Sequence, residues 1–502
     1  MPDIITATTK TGNTVKYYSD KRAEGGMKDV YFSPEKTYVV ALFREKQPAD
    51  ALARLEMICG RYRESIFQQA GGDYWKDFYC WPEQCLEKDG QIGVVVPFYS
   101  KKFFFDYGAK NGDSLGIKGK EKQGKWFASA KLRRKYLDPR ELGDWKNYLT
   151  ACLRLSRAVR RLHAAGLAHS DLSYKNVLID PVTASVCIID IDGLVVPSKF
   201  PPDVLGTPDF IAPEVVKTNH LKIDDPARKL PRIETDLHAL AVLIYMYLLY
   251  RHPLRGNKNH SQVPEDDERL MMGERSLFIE DASDPSNRIK EPQLRKDELP
   301  WVDTTAVPYT VVGPHLSPLF ERAFGSGLRN ASERPTANEW ETALIKTTDL
   351  IQPCANPTCE QKWYVFDNTT QPRCPFCKTR FKGSLPVLNL YSSRQGSFRD
   401  DRHRVMVWTG QSLYRWHANS LVSPNERLSD DDKKRLGYFV FHNNKWLLVN
   451  EAMHDLIIND ASLPADQRAI PIGGHVELTD GRELLLQRGE GGRLAKIQLV
   501  TA

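Results

Sequence analysis

The stretch His169-Ser170-Asp171-Leu172-Ser173-Tyr174-Lys175-Asn176 sets a carboxylate and a carboxamide five positions apart, and the apolar run Val186-Cys187-Ile188-Ile189 ends on a second carboxylate, Asp190. Side chains of these types suit phosphoryl transfer from a nucleotide. One carboxylate orients an attacking hydroxyl, while an amide and another carboxylate hold metal against the phosphates. A second constellation is Cys354-x4-Cys359 with Cys374-x2-Cys377, set among Pro353, Pro357, Pro372 and Pro375. Paired thiolates on two knuckles make a tetrahedral soft-ligand cage, most simply for Zn2+. Four thiolates leave no position for water, so this site reads as structural. Trp363, Tyr364 and Phe366, between the pairs, are expected to pack the small core around it.

These groups need elements to position them. Gly25 and Gly26, between two short β-branched and aromatic runs, predict a hairpin whose backbone can lie close over phosphates. Thr37 to Phe43 reads as a strand, and Ile92 to Val96 as a buried strand ending at Pro97. Between them, Leu52, Leu55, Ile58, Tyr62 and Ile66 repeat with a helical period over about 49–67. A longer helix is expected over 144–165, with Leu149, Leu153, Ser156, Val159, Leu162 and His163 at helical spacings and Gly166 as its stop. Asp236 heads an apolar helix to Tyr250. From about Leu385 onward, short alternating runs separated by turns such as Asn443-Asn444 and Thr479-Asp480-Gly481 predict a β-sandwich or barrel.

A chain of 502 residues exceeds one core and implies several domains. Its net charge of +6 is too small a bias to argue a nucleic-acid partner. Met1 to Gly12 lacks the basic and apolar blocks of a signal peptide. The apolar run Leu237 to Tyr250 contains His238 and falls short of the roughly 20 residues that span a bilayer, so no membrane segment is expected. Nine cysteines, four of them in close pairs, fit metal ligation in a reducing compartment better than disulfides. The chain therefore reads as cytoplasmic.

Further motifs follow in order: Gly206-Thr207-Pro208, Ala212-Pro213-Glu214, Asp236 at the head of its helix, and Arg334-Pro335-Thr336. With the glycine turn, the loop at Asp171 and the strand ending at Asp190, they resemble the eukaryotic-type protein kinase family. The resemblance implies a multidomain α+β chain: a bilobal kinase fold over 10–348 (lobes 10–99 and 100–348), a zinc ribbon over 352–383, and an all-β docking domain over 385–502. Leu270-Met271-Met272-Gly273-Glu274, in a long insert, resembles bacterial kinases found with von Willebrand-type domain and protein phosphatase partners. The tail from Lys445 resembles forkhead-associated domains without their Arg, Ser and His constellation, so docking is the expected role.

By position, the resemblance makes Asp171 the catalytic base, with Asn176 and Asp190 holding Mg2+ (or Mn2+) and Thr207 reaching Asp171. Gly25, Gly26, Val30 and Ala41 would surround ATP. Glu214 and Arg334 would pair, and Asp236 would anchor the catalytic loop from below. The chain departs from the family at several positions. Phe43 stands where the phosphate-gripping strand lysine belongs; Lys28 is the expected substitute, placed as in with-no-lysine kinases, with Arg44 as an alternative and Glu56 as its partner. Ser170 replaces the arginine that makes loop phosphorylation obligatory, and Leu194 to Gly206 holds a single hydroxyl, Ser198. Ser173 replaces a lysine, and Lys175 stands where tyrosine kinases carry an arginine. Asp192 occupies a glycine position. The expectation is an active ATP-dependent kinase acting on Ser/Thr of protein substrates; the alternative is a nucleotide-binding pseudokinase scaffold.

Overall fold

The structure, a computed structural model, describes residues 2–20, 23–24, 27–48, 50–69, 71–196, 206–289 and 294–501. Gly25, Gly26 and Ser198 lie outside them. The chain forms two compact units. One is Met1–Gly143 with Asn147–Tyr309 and Ser317–Thr342; the other is Asp144–Lys146 with Thr310–Leu316 and Ala343–Ala502.

The first unit opens with an antiparallel five-stranded sheet. Its spatial order is Ala23–Glu24, Lys28–Phe32, Tyr38–Phe43, Gln91–Pro97, Gln84–Lys88. Alternation along Tyr38–Phe43 sends Val40 and Leu42 against Ala7, Val15 and Tyr17 of the hairpin Ile4–Thr8/Thr14–Tyr18. Ala41 and Phe43 face the other way, against Leu55. Covered on both faces, the strand needs the continuous apolar run that its sequence shows. Leu55 sits on a helix that begins as Ala51–Met57 and continues through a π turn, Ile58–Tyr62, into Arg63–Phe67. Leu55, Ile58 and Ile66 are fully buried, as their period requires.

The remainder of this unit is mostly helical. On Trp145–Ala164 the buried positions Leu149, Cys152, Leu155, Ser156, Val159 and Leu162 trace one face, and Gly166, at φ 75°, turns the chain out of the helix. Every residue from Thr235 to Leu249 of the helix Ile233–Leu249 is buried, which is what an apolar circumference demands. The hairpin Val177–Asp180/Ser185–Ile188 delivers the chain to Asp190. Beneath it, Lys122 Nζ lies 2.8 Å from Asp180 and 2.9 Å from Glu141, all three buried. A buried charge persists only when paired, so this cluster fixes the hairpin at one depth. Among the described residues, no helix is long and apolar enough to cross a membrane.

The second unit ends in two antiparallel sheets. One holds Ser397–Met406, Ser384–Arg394, Arg493–Thr501, Glu483–Leu485 and Ile457–Ile458; the other holds Ser412–Tyr414, Arg435–His442, Lys445–Asn450 and His475–Glu477. Leu388, Leu390 and Ile497 of the first share one core with Leu413, Phe439, Leu448 and Val476 of the second, so the sheets stack as a sandwich. Asn443 and Asn444, at φ 47° and 59°, form the two-residue hairpin turn between Arg435–His442 and Lys445–Asn450.

Candidate active site

The loop between Gly166 and Val177 is held from below and from the side. Asp236 accepts the His169 N–H at 2.7 Å and the Ser170 N–H at 3.2 Å, fixing Ser170 in the left-handed region at φ 69°. His169 is buried and bonds the Ile189 carbonyl through Nε2 at 2.8 Å, tying the loop to the strand that leads to Asp190. Asn176 donates from Nδ2 to both the Asp171 carbonyl and its Oδ2, each at 2.9 Å. The other carboxylate oxygen of Asp171 accepts the Thr207 N–H at 2.6 Å. Asp171 is thus fixed in direction while remaining only partly buried.

Lys28 comes from the sheet. It stands directly opposite Phe43 in the antiparallel register, and Val30 stands opposite Ala41. Opposed residues in such a ladder project from the same face. Lys28 therefore points where a lysine at position 43 would point, with Nζ 5.3 Å from the centre of the Phe43 ring. The ammonium lies 2.9 Å from Asp190 Oδ1 and 2.6 Å from Asp192 Oδ2. Burial works against its charge, but the Asp192 and Asp190 carboxylates outweigh burial and hold Lys28 protonated well above the usual lysine range. The Lys28 charge in turn lowers Asp190, whose side chain is 50% exposed. Asp190 sits at φ 62°, a left-handed residue that turns the chain from its strand into the short turn Ile191–Gly193.

Residues 127–305 match the protein kinase domain family. The chain carries a protein kinase domain. Among solved structures, it is similar to the crystal structure of a Toxoplasma gondii specific rhoptry antigen kinase domain, at 13% identity and a TM-score of 0.35, over 54% of this chain and 77% of that one. No curated protein sequence matches it.

Arg334 grips Glu214 through two bonds of 2.8 and 2.6 Å and also donates to the Gly327 and Glu234 carbonyls. Sequence expectation and geometry differ at Glu56 and in the manner of the Thr207 contact. Glu56 is exposed on its helix, and the carboxylates at Lys28 are those of Asp190 and Asp192. Lys175 is exposed on the loop. Thr207 meets Asp171 through its backbone N–H, while its hydroxyl lies 3.2 Å from Ser173 Oγ. Sequence reasoning also missed a network beside the loop, in which the Asp209 carboxylate accepts from Tyr174 at 3.3 Å and from Arg255 Nε at 2.8 Å. Nothing in the linear spacing of those three residues announces it.

In the other unit, the sulfurs of Cys354, Cys359, Cys374 and Cys377 all lie within 4.8 Å of one another. Cys354 and Cys377 are 3.5 Å apart, and Cys359 and Cys374 are 3.9 Å apart. A tetrahedron with Zn–S bonds of about 2.3 Å has edges of roughly 3.8 Å, so the donor set fits zinc in size and in softness. Tyr364 is buried against the cysteines with Phe376 packed beside them, Phe366 is buried, and Trp363 is partly exposed with Lys146 Nζ 4.8 Å from its ring centre.

Proposed function

We propose that the chain is an ATP- and Mg2+-dependent protein kinase that transfers the γ-phosphoryl group to Ser or Thr hydroxyls of protein substrates. The observation carrying this reading is that Lys28, cross-strand from Phe43, brings its ammonium to Asp190. The cation missing from its usual strand thereby reappears on the same face of the sheet. Asp171 would take the proton of the acceptor hydroxyl as its oxygen bonds to the γ-phosphorus; the bond from that phosphorus to the β–γ bridging oxygen breaks, and ADP leaves. Asn176 and Asp190, an amide and a carboxylate, suit a hard divalent cation, which when bound would neutralise phosphate charge. Lys28 would grip the non-transferred phosphates. Asn176 also orients Asp171, because its amide bonds the carboxylate directly.

Acceptor preference for Ser/Thr is supported by Gly206-Thr207-Pro208. Ser170 in the arginine position supports activity without loop phosphorylation. We assign the closed four-thiolate zinc site a structural role and the β-sandwich a docking role, with the kinase, ribbon and β regions divided at 10–348, 352–383 and 385–502. The resemblance to bacterial kinases supports a signalling role alongside a von Willebrand-type protein and a phosphatase. Phe43 by itself favours the other reading, a nucleotide-binding scaffold without transfer. Incubation with γ-labelled ATP and protein acceptors separates the two: acid-stable label on Ser or Thr, lost in Asp171→Asn, supports the kinase. Nucleotide binding without any incorporation supports the scaffold.

A further inference from the structure

We infer that Asp192 is the positioning residue for Lys28, doing the work that a helix carboxylate does in the usual Lys–Glu arrangement. The inference rests on the reading of Lys28 as the phosphate-gripping cation. Both carboxylates touch its ammonium, but they are not equivalent. Asp192 is the nearer, at 2.6 Å, and its side chain is 6% exposed; Asp190, at 2.9 Å, is 50% exposed. The exposed one can turn to a metal ion, as its proposed role requires. The buried one cannot leave without stranding a charge away from water, so it stays on the lysine.

The backbone fixes Asp192 in turn. It is the middle residue of the turn Ile191–Gly193, between Ile191 and Leu194, which are 1% and 0% exposed. The Leu194 N–H closes the turn on the Ile191 carbonyl at 3.1 Å. Glu56, the nearest counterpart of a helix partner, faces solvent. The cation is therefore tied to the segment that carries Asp190, and not to the helix Ala51–Met57. Cation and metal carboxylate then move as one piece, and the pocket does not depend on a helix swinging in.

The test uses the full chain, with ATP and adenosine titrated calorimetrically in Mg2+. Adenosine lacks the phosphates and reports the rest of the pocket. Asp192→Asn should weaken ATP by tenfold or more while adenosine stays within twofold. Combined with Lys28→Met it should add little, because one residue acts through the other. Should Asp192→Asn fail to fold, Asp192→Glu keeps the charge but displaces it by a methylene, and should weaken ATP by threefold or more with the same sparing of adenosine. ATP affinity within twofold of wild type in the folded variants, equal loss for both ligands, or losses that multiply in the double variant would overturn the inference. A wild-type chain that binds no ATP would overturn the kinase reading and this one with it. If ATP binds without transfer, only the phosphotransfer reading falls, and the calorimetric comparison still decides for or against Asp192.

Discussion

Moving the lysine is the perturbation that probes this site most sharply. Lys28→Met removes the ammonium from between Asp190 and Asp192. A lost preorganised charge on the reacting phosphates costs about 10²–10³-fold in turnover, roughly 3–4 kcal/mol of transition-state stabilisation. Stability should fall as well, because Asp192 is left buried without its cation. Breaking a buried pair costs about 3–5 kcal/mol, and the half-exposure of Asp190 places this case towards the lower end. Adding Phe43→Lys should reverse much of both losses. Directly opposed Cβ atoms are about 5 Å apart, within reach of a lysine stem on the same face. The assay is kcat/KM for ATP with thermal unfolding measured in parallel. The single variant should lose about 10²-fold or more, and the double variant should return to within about tenfold of wild type. A folded Lys28→Met that keeps activity within about threefold would refute the substitution, and a folded double variant with no recovery would refute the shared-face geometry.

Other outcomes follow from separate features. His252, buried, bonds the Asp209 carbonyl through Nε2 at 3.0 Å and accepts the Leu254 N–H at Nδ1, so it must be neutral; burial above all lowers its pKa to about 4. Its unfolded value lies near 6.5, so its stabilising contribution is complete above that pH and is lost as pH falls towards 4, by roughly 3 kcal/mol. Denaturant unfolding between pH 7 and 4 should show that slope, reduced in His252→Asn. Freshly purified protein should contain about one zinc per chain by metal analysis, and Cys374→Ser should release it and destabilise the unit that holds it. Phosphatase treatment of the purified chain should leave the initial transfer rate within about twofold, since Ser170 offers no buried arginine for a phosphate to neutralise.

The loop at Asp171 was legible because its residues act at short range: Asp171 and Asn176 meet across five positions, and Asp190 follows closely on an apolar strand. Lys28 was legible only through the resemblance; the short connection over residues 33–37 between Lys28–Phe32 and Tyr38–Phe43 sets it opposite Phe43. The thiolates announce themselves by pairing. Asp192 was not legible as a partner, because the left-handed φ of Asp190 decides which way its carboxylate points. Glu56 illustrates the opposite failure. It follows buried Leu55 by a single position, about 100° around the helix, so its own period already turned it away from the sheet. The Asp209 network joins Tyr174 to Arg255 across the fold, a tertiary contact that no local pattern encodes.

The most direct measurement is a structure of the chain with Mg2+ and a non-hydrolysable ATP analogue. The account predicts Lys28 Nζ within hydrogen-bonding distance of a non-transferred phosphate oxygen, with Asn176 and Asp190 on the metal and Asp171 facing the γ-phosphate. Phosphates gripped instead by Arg44 or another cation, with Lys28 turned away, would contradict it.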